Sequence, residues 1–437
     1  AVARSAGPVC LGDFNLDGKL DLFVGSRVTP GKYPEAGKSR VYLSQNGKWI
    51  LSQELDAGMV SGGVVTDLDG DGQPDLVLAC EWGPVRVFRN EGGHFKEATT
   101  EWGLEKEIGW WTGISAGDFD GDGRMDLVVG NWGRNSKYES KRKDGLTLNY
   151  GDLDGDGRFE LVEGYYDAER KAILPWRSRD YLTLGLRWLP ERYTTHAEYG
   201  KATVAEILEG RQSKELRAWR LESMLYLNRG GRMEGKTLPI EAQLSPVFGV
   251  SVGDLDGDGA EDVVLSQNFF GVDEETSRYD GGRGVLLKGD GQGEFQSVGS
   301  EQTGLRVYGE GRGTALCDFD GDGRADLVVA QNGAETKLYR NRGGRVGLKV
   351  RLRGPEGNPN AVGAVIRLMH GEKPGPAREV HAGSGYWSQD SAVQIMGKKS
   401  TATAVEVRWP GGKITTTPIG IKVKGVKISL FDGANRN

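Results

Sequence analysis

The chain has 437 residues, a formal charge of −6 and 69 glycines, roughly twice the usual glycine share of about 7%. Charged residues stand at 27% and no low-complexity tract occurs, which excludes a disordered chain and points to a folded, turn-rich one. No apolar run reaches the roughly 18 residues of a membrane span, and the opening AVARSAGPVC lacks the charged and apolar regions of a signal peptide.

Six near-copies of one phrase order the chain: DFNLDGKLD from Asp13, DLDGDGQPD from Asp67, DFDGDGRMD from Asp118, DLDGDGRFE from Asp152, DLDGDGAED from Asp254 and DFDGDGRAD from Asp318. Short strands such as GVVT, GISAG and GVSVG enter these loops, and apolar strands such as DLVLAC, DLVVGN, DVVLSQ and DLVVAQ leave them. VRVFRNEGGHF, MLYLNRGGRM, VLLKGDGQGEF and KLYRNRGG follow, each a strand running into an Asn or Asp/Gly turn. Two such hairpins make a four-stranded unit, and the loop spacing brackets the roughly 40–50 residues of a propeller blade. The short step from Asp118 to Asp152 leaves no room for an outer hairpin, so LTLNYGDLD is expected to enter the next blade directly. The long step from Asp152 to Asp254 holds either an insertion or a blade without an acidic loop. Thr195 and Glu198 have capping-box spacing there, which predicts a helix near 194–209 within an insertion of about 177–215.

In the loop pattern D-x-[DN]-x-D-G-x-x-[DE], side chains 1, 3, 5 and 9 and the backbone carbonyl of position 7 can wrap a hard cation in oxygen, while glycine at position 6 permits the turn. The candidate ligands are Asp13, Asn15, Asp17, Lys19 and Asp21; Asp67, Asp69, Asp71, Gln73 and Asp75; and Asp118, Asp120, Asp122, Arg124 and Asp126. The later loops offer Asp152, Asp154, Asp156, Arg158 and Glu160; Asp254, Asp256, Asp258, Ala260 and Asp262; and Asp318, Asp320, Asp322, Arg324 and Asp326. Calcium suits this shell best, with up to six ions, whereas magnesium prefers a smaller octahedron that keeps waters. The glutamate at position 12 and the exiting helix of an EF-hand are missing. So many carboxylates repel one another without a counter-ion, so ion binding is expected to add folding free energy. Calcium loops of extracellular modules have dissociation constants of about 10⁻⁴–10⁻³ M and would stay empty in cytosol, which places the protein outside the cell, in a periplasm or on a cell surface.

Cys10, Cys80 and Cys317 lack CxxC spacing and adjoin apolar runs, as buried free thiols do, and the four scattered histidines exclude a zinc site. Lys141, Arg142 and Lys143 form too short a basic run for a nucleic-acid interface.

The loops followed by DLVVG resemble the FG-GAP or VCBS repeats of integrin-α-type propellers. NPNAVGAVIRL, REVHAGSGYWSQDS and VEVRWPGG resemble the ASPIC and UnbV domain, and the combination resembles the cartilage acidic protein family. The resemblance implies an all-β fold: a calcium-binding, seven-bladed β-propeller over 1–345 with a helical insertion, then a small C-terminal β domain over 346–437. Only six loops are visible, so one blade is either cryptic or absent, and no cysteine-rich EGF module follows. Within HAGSGYWSQDS, residues His381, Tyr386, Trp387, Ser388 and Gln389 are expected to form a turn that docks on the propeller, or else a ligand-contact loop.

In such propellers the acidic loops lie on the lower face, which implies an upper face carrying Arg27, Tyr33, Glu81, Trp82, Asn131, Trp132, Tyr165, Tyr166, Asn268, Phe269, Gln331 and Asn332, with Met59, Trp110, Trp111, Phe248 and Arg312 from a second set of turns. Arg27, Trp82, Trp110, Trp111, Asn131, Trp132 and Arg312 are the ligand-binding candidates. Their tryptophans either wedge blades apart or line a groove that stacks on sugar rings or holds a peptide. The expected function is a binding module for carbohydrate or protein. The alternative is a polysaccharide lyase or glycoside hydrolase on the same face, using Glu81 with Glu163 as acid and base, or Tyr165, Tyr166 and His196 with an arginine.

Overall fold

The computed structural model describes residues 5–420 and 422–430. Five of its sheets carry an acidic loop between their first two strands and pack inner strand against inner strand in a propeller-like arrangement. The first sheet is a meander of Ala6–Gly12, Asp21–Ser26, Ser39–Gln45 and Lys48–Leu55; the second runs Met59–Thr66, Asp75–Gly83, Arg86–Asn90 and Phe95–Glu97. The third pairs Ile114–Gly117 and Asp126–Val129 with the distant hairpin Met224–Asn228 and Met233–Thr237. The fourth comprises Val247–Gly253, Asp262–Gln267, Val285–Gly289 and Phe295–Val298, and the fifth Glu310–Cys317, Asp326–Asn332 and Ala334–Tyr339.

The apolar strands are buried on both faces because each sheet lies between two others. In Asp75–Gly83, Leu76 and Leu78 join the core shared with the first sheet, while Val77 and Ala79 join the core shared with the third. The same alternation puts Val128 against the fourth sheet and Leu127 and Val129 against the second. Cys10 and Cys80 are buried free thiols and Cys317 is a half-buried one.

Two expectations are corrected. MLYLNRGGRM is the outer hairpin of the third sheet, and LTLNYGDLD does not enter the next blade of the ring. It opens a sheet inserted between strands two and three of the third, ordered Ala172–Pro175, Glu160–Asp167, Leu146–Gly151 and Lys214–Ala218. The single helix expected near 194–209 is two short ones, His196–Tyr199 and Val204–Ile207, because Thr203 and Glu206 form a second capping box behind the one at Thr195 and Glu198. Five loop-bearing sheets therefore pack together, with a sixth inserted outside them, where seven blades were expected. The first and fifth sheets each keep an apolar side uncovered. Phe319 is 66% exposed, whereas its counterparts Phe14 and Phe119 are covered by Phe95 and Phe295 of the following sheet.

The C-terminal unit begins with Leu348–Arg353, which lies between Gln394–Met396 and a parallel Gly425–Ser429. A second sheet of Lys373–Pro374, Val365–His370, Ala404–Arg408 and Ile414–Pro418 packs on it around Trp409, Ile366 and Val350.

Candidate metal loops and ligand-binding face

All six loops share one hydrogen-bond plan. The glycine at position 6 donates its N–H to the first aspartate, from 2.8 Å at Gly18 to Asp13 up to 3.1 Å at Gly323 to Asp318. The N–H of position 7 donates to the position-5 carboxylate at Lys19, Gln73, Arg124, Arg158, Ala260 and Arg324. The position-9 carboxylate accepts the position-2 N–H, and in the five ring sheets its other oxygen accepts an N–H from the third strand or, at Asn341, just beyond it, as Asp126 does from Phe119 (2.9 Å) and Asn228 (2.7 Å). Position 9 is thus a stitch between strands as well as a ligand candidate.

In five loops three acidic groups bring ligand atoms within 4.8 Å of one another: Asp67, Asp69 and Asp71; Asp118, Asp120 and Asp122; Asp152, Asp154 and Glu160; Asp254, Asp256 and Asp262; Asp318, Asp320 and Asp326. The Asp13 loop, where Asn15 replaces an acid, forms no such group among the described residues. Burial pushes three position-9 carboxyls up, to about 8 at Asp75 and about 7 at Asp126 and Asp262. Asp67 Oδ1, Asp118 Oδ1 and Asp318 Oδ1 are buried without a hydrogen-bond partner. Clustered carboxylates with orphaned, desolvated oxygens and no nitrogen or sulfur donor fit a hard cation.

The C-terminal unit covers this loop face. Arg408 pairs with Asp67, Lys349 Nζ lies 2.6 Å from Asp318 Oδ2, and the Ala377 N–H donates to Asp118 Oδ2 at 2.8 Å. Arg378 forms a buried fork with Glu261 at 2.7 and 2.8 Å. From there residues 377–391 rise between the inner strands and return, touching one strand of each ring sheet. Leu11 donates to Ala382 O (2.8 Å), Ile114 and Gly385 exchange N–H···O bonds, Trp387 Nε1 donates to Ser61 O (3.1 Å), and Asp390 Oδ1 accepts from Ser251 Oγ (3.3 Å) and Leu316 N (2.7 Å). The segment docks on the propeller and also carries Tyr386 and Trp387 to the opposite, upper face.

On that face the sequence candidates divide. Trp111 has no exposed surface, donates Nε1 to Glu107 O and packs on Tyr226, and Asn131 is likewise fully buried; both belong to the core and not to a ligand surface. Trp82 and Trp110 are nearly buried and stack edge-to-face at 4.9 Å. Trp132 is half-buried and continues this cluster to Phe269 (5.1 Å) and Tyr279 (5.4 Å). Arg27 is paired with Glu81 at 2.7 Å, and Arg312 lies over Phe248 while pairing with Glu310. The proposed acid/base partners are held apart in separate ion pairs: Glu81 by Arg27 and Tyr33, Glu163 by Arg177, which also binds Asp273. Tyr165 packs on Trp176, and Tyr166 lies opposite Ile173 on the same sheet. His196, 70% exposed on the insertion helix beside Asp180, joins neither ion pair. Sequence reading missed Tyr138, Trp176 and Lys137, which join this face because the inserted sheet leans over it. Lys137 lies over both rings at 5.1 and 5.9 Å, and desolvation by burial lowers its pKa, with Arg177 adding to the effect.

Comparison with known proteins agrees with the repeat reading. An FG-GAP-like repeat matches residues 67–129, an FG-GAP repeat matches 311–346, and ASPIC and UnbV matches 354–422. The chain therefore carries FG-GAP-type repeat segments and an ASPIC and UnbV segment at those residues. Cartilage acidic protein 1 of Xenopus tropicalis is 32% identical over 116 residues, a stretch covering 25% of this chain and 18% of that protein. Among solved structures, rhamnogalacturonan lyase YesW aligns over 97% of this chain and 73% of its own at 12% identity and a TM-score of 0.33. Rhamnogalacturonan lyase PL11 of Bacillus licheniformis aligns over the same shares at 12% identity and 0.35, and the V. cholerae biofilm matrix protein Bap1 over 96% and 60% at 14% and 0.30. Scores this low bear on neither blade number nor ligand.

Proposed function

We propose that this chain is an extracytoplasmic binding module, with a propeller unit over 1–345 and a cap over 346–437, whose acidic loops hold calcium structurally and whose upper face recognises a carbohydrate or protein ligand. The observation that carries this reading is the division of the two faces. The acidic loops are tied to the cap through Asp67, Asp118 and Asp318, so their ions serve the fold, while the opposite face carries a largely packed aromatic cluster with half-buried Trp132 at its edge and partly exposed, ion-paired Arg27 beside it. The buried, unpartnered oxygens of the same three aspartates support calcium as the ion.

The test is retention of calcium-loaded protein on immobilised polysaccharides and extracellular proteins. Lys137→Ala and Trp176→Ala on the upper face are expected to weaken retention several-fold, and Arg367→Ala, which reaches Gly123 O on the loop face, to leave it unchanged. Equal loss from the loop-face variant would overturn the assignment of the ligand to the upper face.

A further inference from the structure

Nothing in the calcium chemistry requires the C-terminal segment to emerge on the far side of the ring. Trp387 nevertheless stands there 54% exposed, and its backbone is left-handed at φ 52°. That conformation is uncommon for a bulky residue and is strained. Two other non-glycine residues of the upper face, Trp82 and Asn268, share positive φ values of 56° and 91°. One face of the Trp387 ring is stacked on Tyr386, with centroids 5.0 Å apart and planes 7° from parallel. Tyr386 is braced edge-to-face by Phe248 at 5.2 Å, and Trp387 Nε1 is tied to Ser61 O. The indole is thus held rigidly as a flat apolar surface.

Arg312 lies 4.0 Å over Phe248, which braces Tyr386, and Arg27, Glu81 and Glu310 also act electrostatically on Tyr386. Each arginine is neutralised by its own glutamate, and these groups are fixed by Tyr33, Asn332 and the Phe270 N–H. Arg27 Nη1 is buried and lacks an acceptor. These two pairs balance each other and give a charged peptide or polyanion no preferred sign. A hydroxylated ring would find an aromatic face to stack on and, beside it, fixed donors and acceptors in equal measure.

We propose that Trp387 is a stacking platform for a pyranose ring of an uncharged saccharide, with the Arg27–Glu81 and Arg312–Glu310 pairs near its stacking partner Tyr386, so that the C-terminal segment completes a binding site on the upper face. This rests on the upper-face reading above and names its ligand class.

The test is affinity electrophoresis of the calcium-loaded full chain through gels containing neutral polysaccharides, comparing wild type with Trp387→Phe and Trp387→Gly. Glycine suits the left-handed backbone, so relief of strain offsets the lost contacts and the melting temperature stays within a few degrees. At least one polysaccharide is expected to retard the wild type. Trp387→Phe keeps most of the affinity and Trp387→Gly loses at least about tenfold. Equal retardation of Trp387→Gly and wild type would overturn the platform; if Trp176→Ala lost retention in the same gel, the upper-face reading would survive it. No retardation of the wild type by any neutral polysaccharide, with retention on an immobilised protein that Lys137→Ala abolishes, would overturn the saccharide class while leaving the face intact. Loss of neither kind in any upper-face variant would overturn both.

Discussion

Asp126 shows how a candidate ion ligand can also serve the fold. Its two oxygens accept the Phe119 and Asn228 N–H groups, tying loop and third strand to one side chain buried at 0% exposure. Asp126→Ala leaves two buried donors unsatisfied and is expected to cost about 2–4 kcal/mol. Urea denaturation in chelator checks this without the ion's contribution, and an unchanged midpoint would show that the stitch is dispensable. Asp390 differs, because it lies on the axial segment beside a cavity of about 50 Å³ shared with Glu379 and His381. Burial pushes its carboxyl up to about 6. Between roughly pH 4 and 6 the unfolded chain, with an aspartate pKa of about 3.9, releases this proton while the native state keeps it. The group therefore costs stability as pH rises through that window, and the full cost persists above it. Asp390→Asn retains the acceptor for Leu316 and Ser251 and is expected to gain on the order of 1–3 kcal/mol at pH 7.5, vanishing by pH 4. A gain of equal size at both pH values would show that the carboxyl does not titrate in this window.

The inner strands explain how the axial segment fits. Gly62, Gly113, Gly249 and Gly313 each stand five residues before the first aspartate of a ring loop. A Cβ on Gly113 would lie 1.9 Å from Phe248 O and 3.3 Å from Gly385 O, and one on Gly313 would lie 3.2 Å from Ser388 Cβ. Neighbouring strands and the axial segment approach as closely as bare backbone allows. The corresponding place is Pro8 before the Asp13 loop and Thr147 before the Asp152 loop, the latter on the sheet that lies outside the ring. Gly113→Ala is expected to cost more than about 3 kcal/mol, since only main chain surrounds the new methyl. Thermal unfolding checks this, and a melting temperature within a degree or two of wild type would mean that the inner strands can move apart.

For the whole molecule, the acidic loops link ring and cap through Asp67, Asp118 and Asp318. At a calcium concentration ten times the dissociation constant, each independent site adds about 1.4 kcal/mol. Chelation is therefore expected to lower the melting temperature by many degrees and to speed proteolysis between the cap and the ring. An unchanged melt after verified metal removal would refute the structural role of the ions.

The repeats, the acidic chemistry and the alternation of apolar residues were legible in the sequence, because ligand spacing and the two-residue period of a strand are local properties of the chain. The capping box at Thr195 and Glu198 was legible for the same reason. The number of blades was not, because whether the Asp152 loop joins the ring depends on where the chain rejoins the third sheet, at Met224, far along the sequence from Val129. Nor could the sequence tell Trp111, sealed in the core, from Trp387, held open at the tip of the axial segment. Both are tryptophans near glycine, and their roles were decided by which strands closed around them, a property of tertiary packing and not of local pattern.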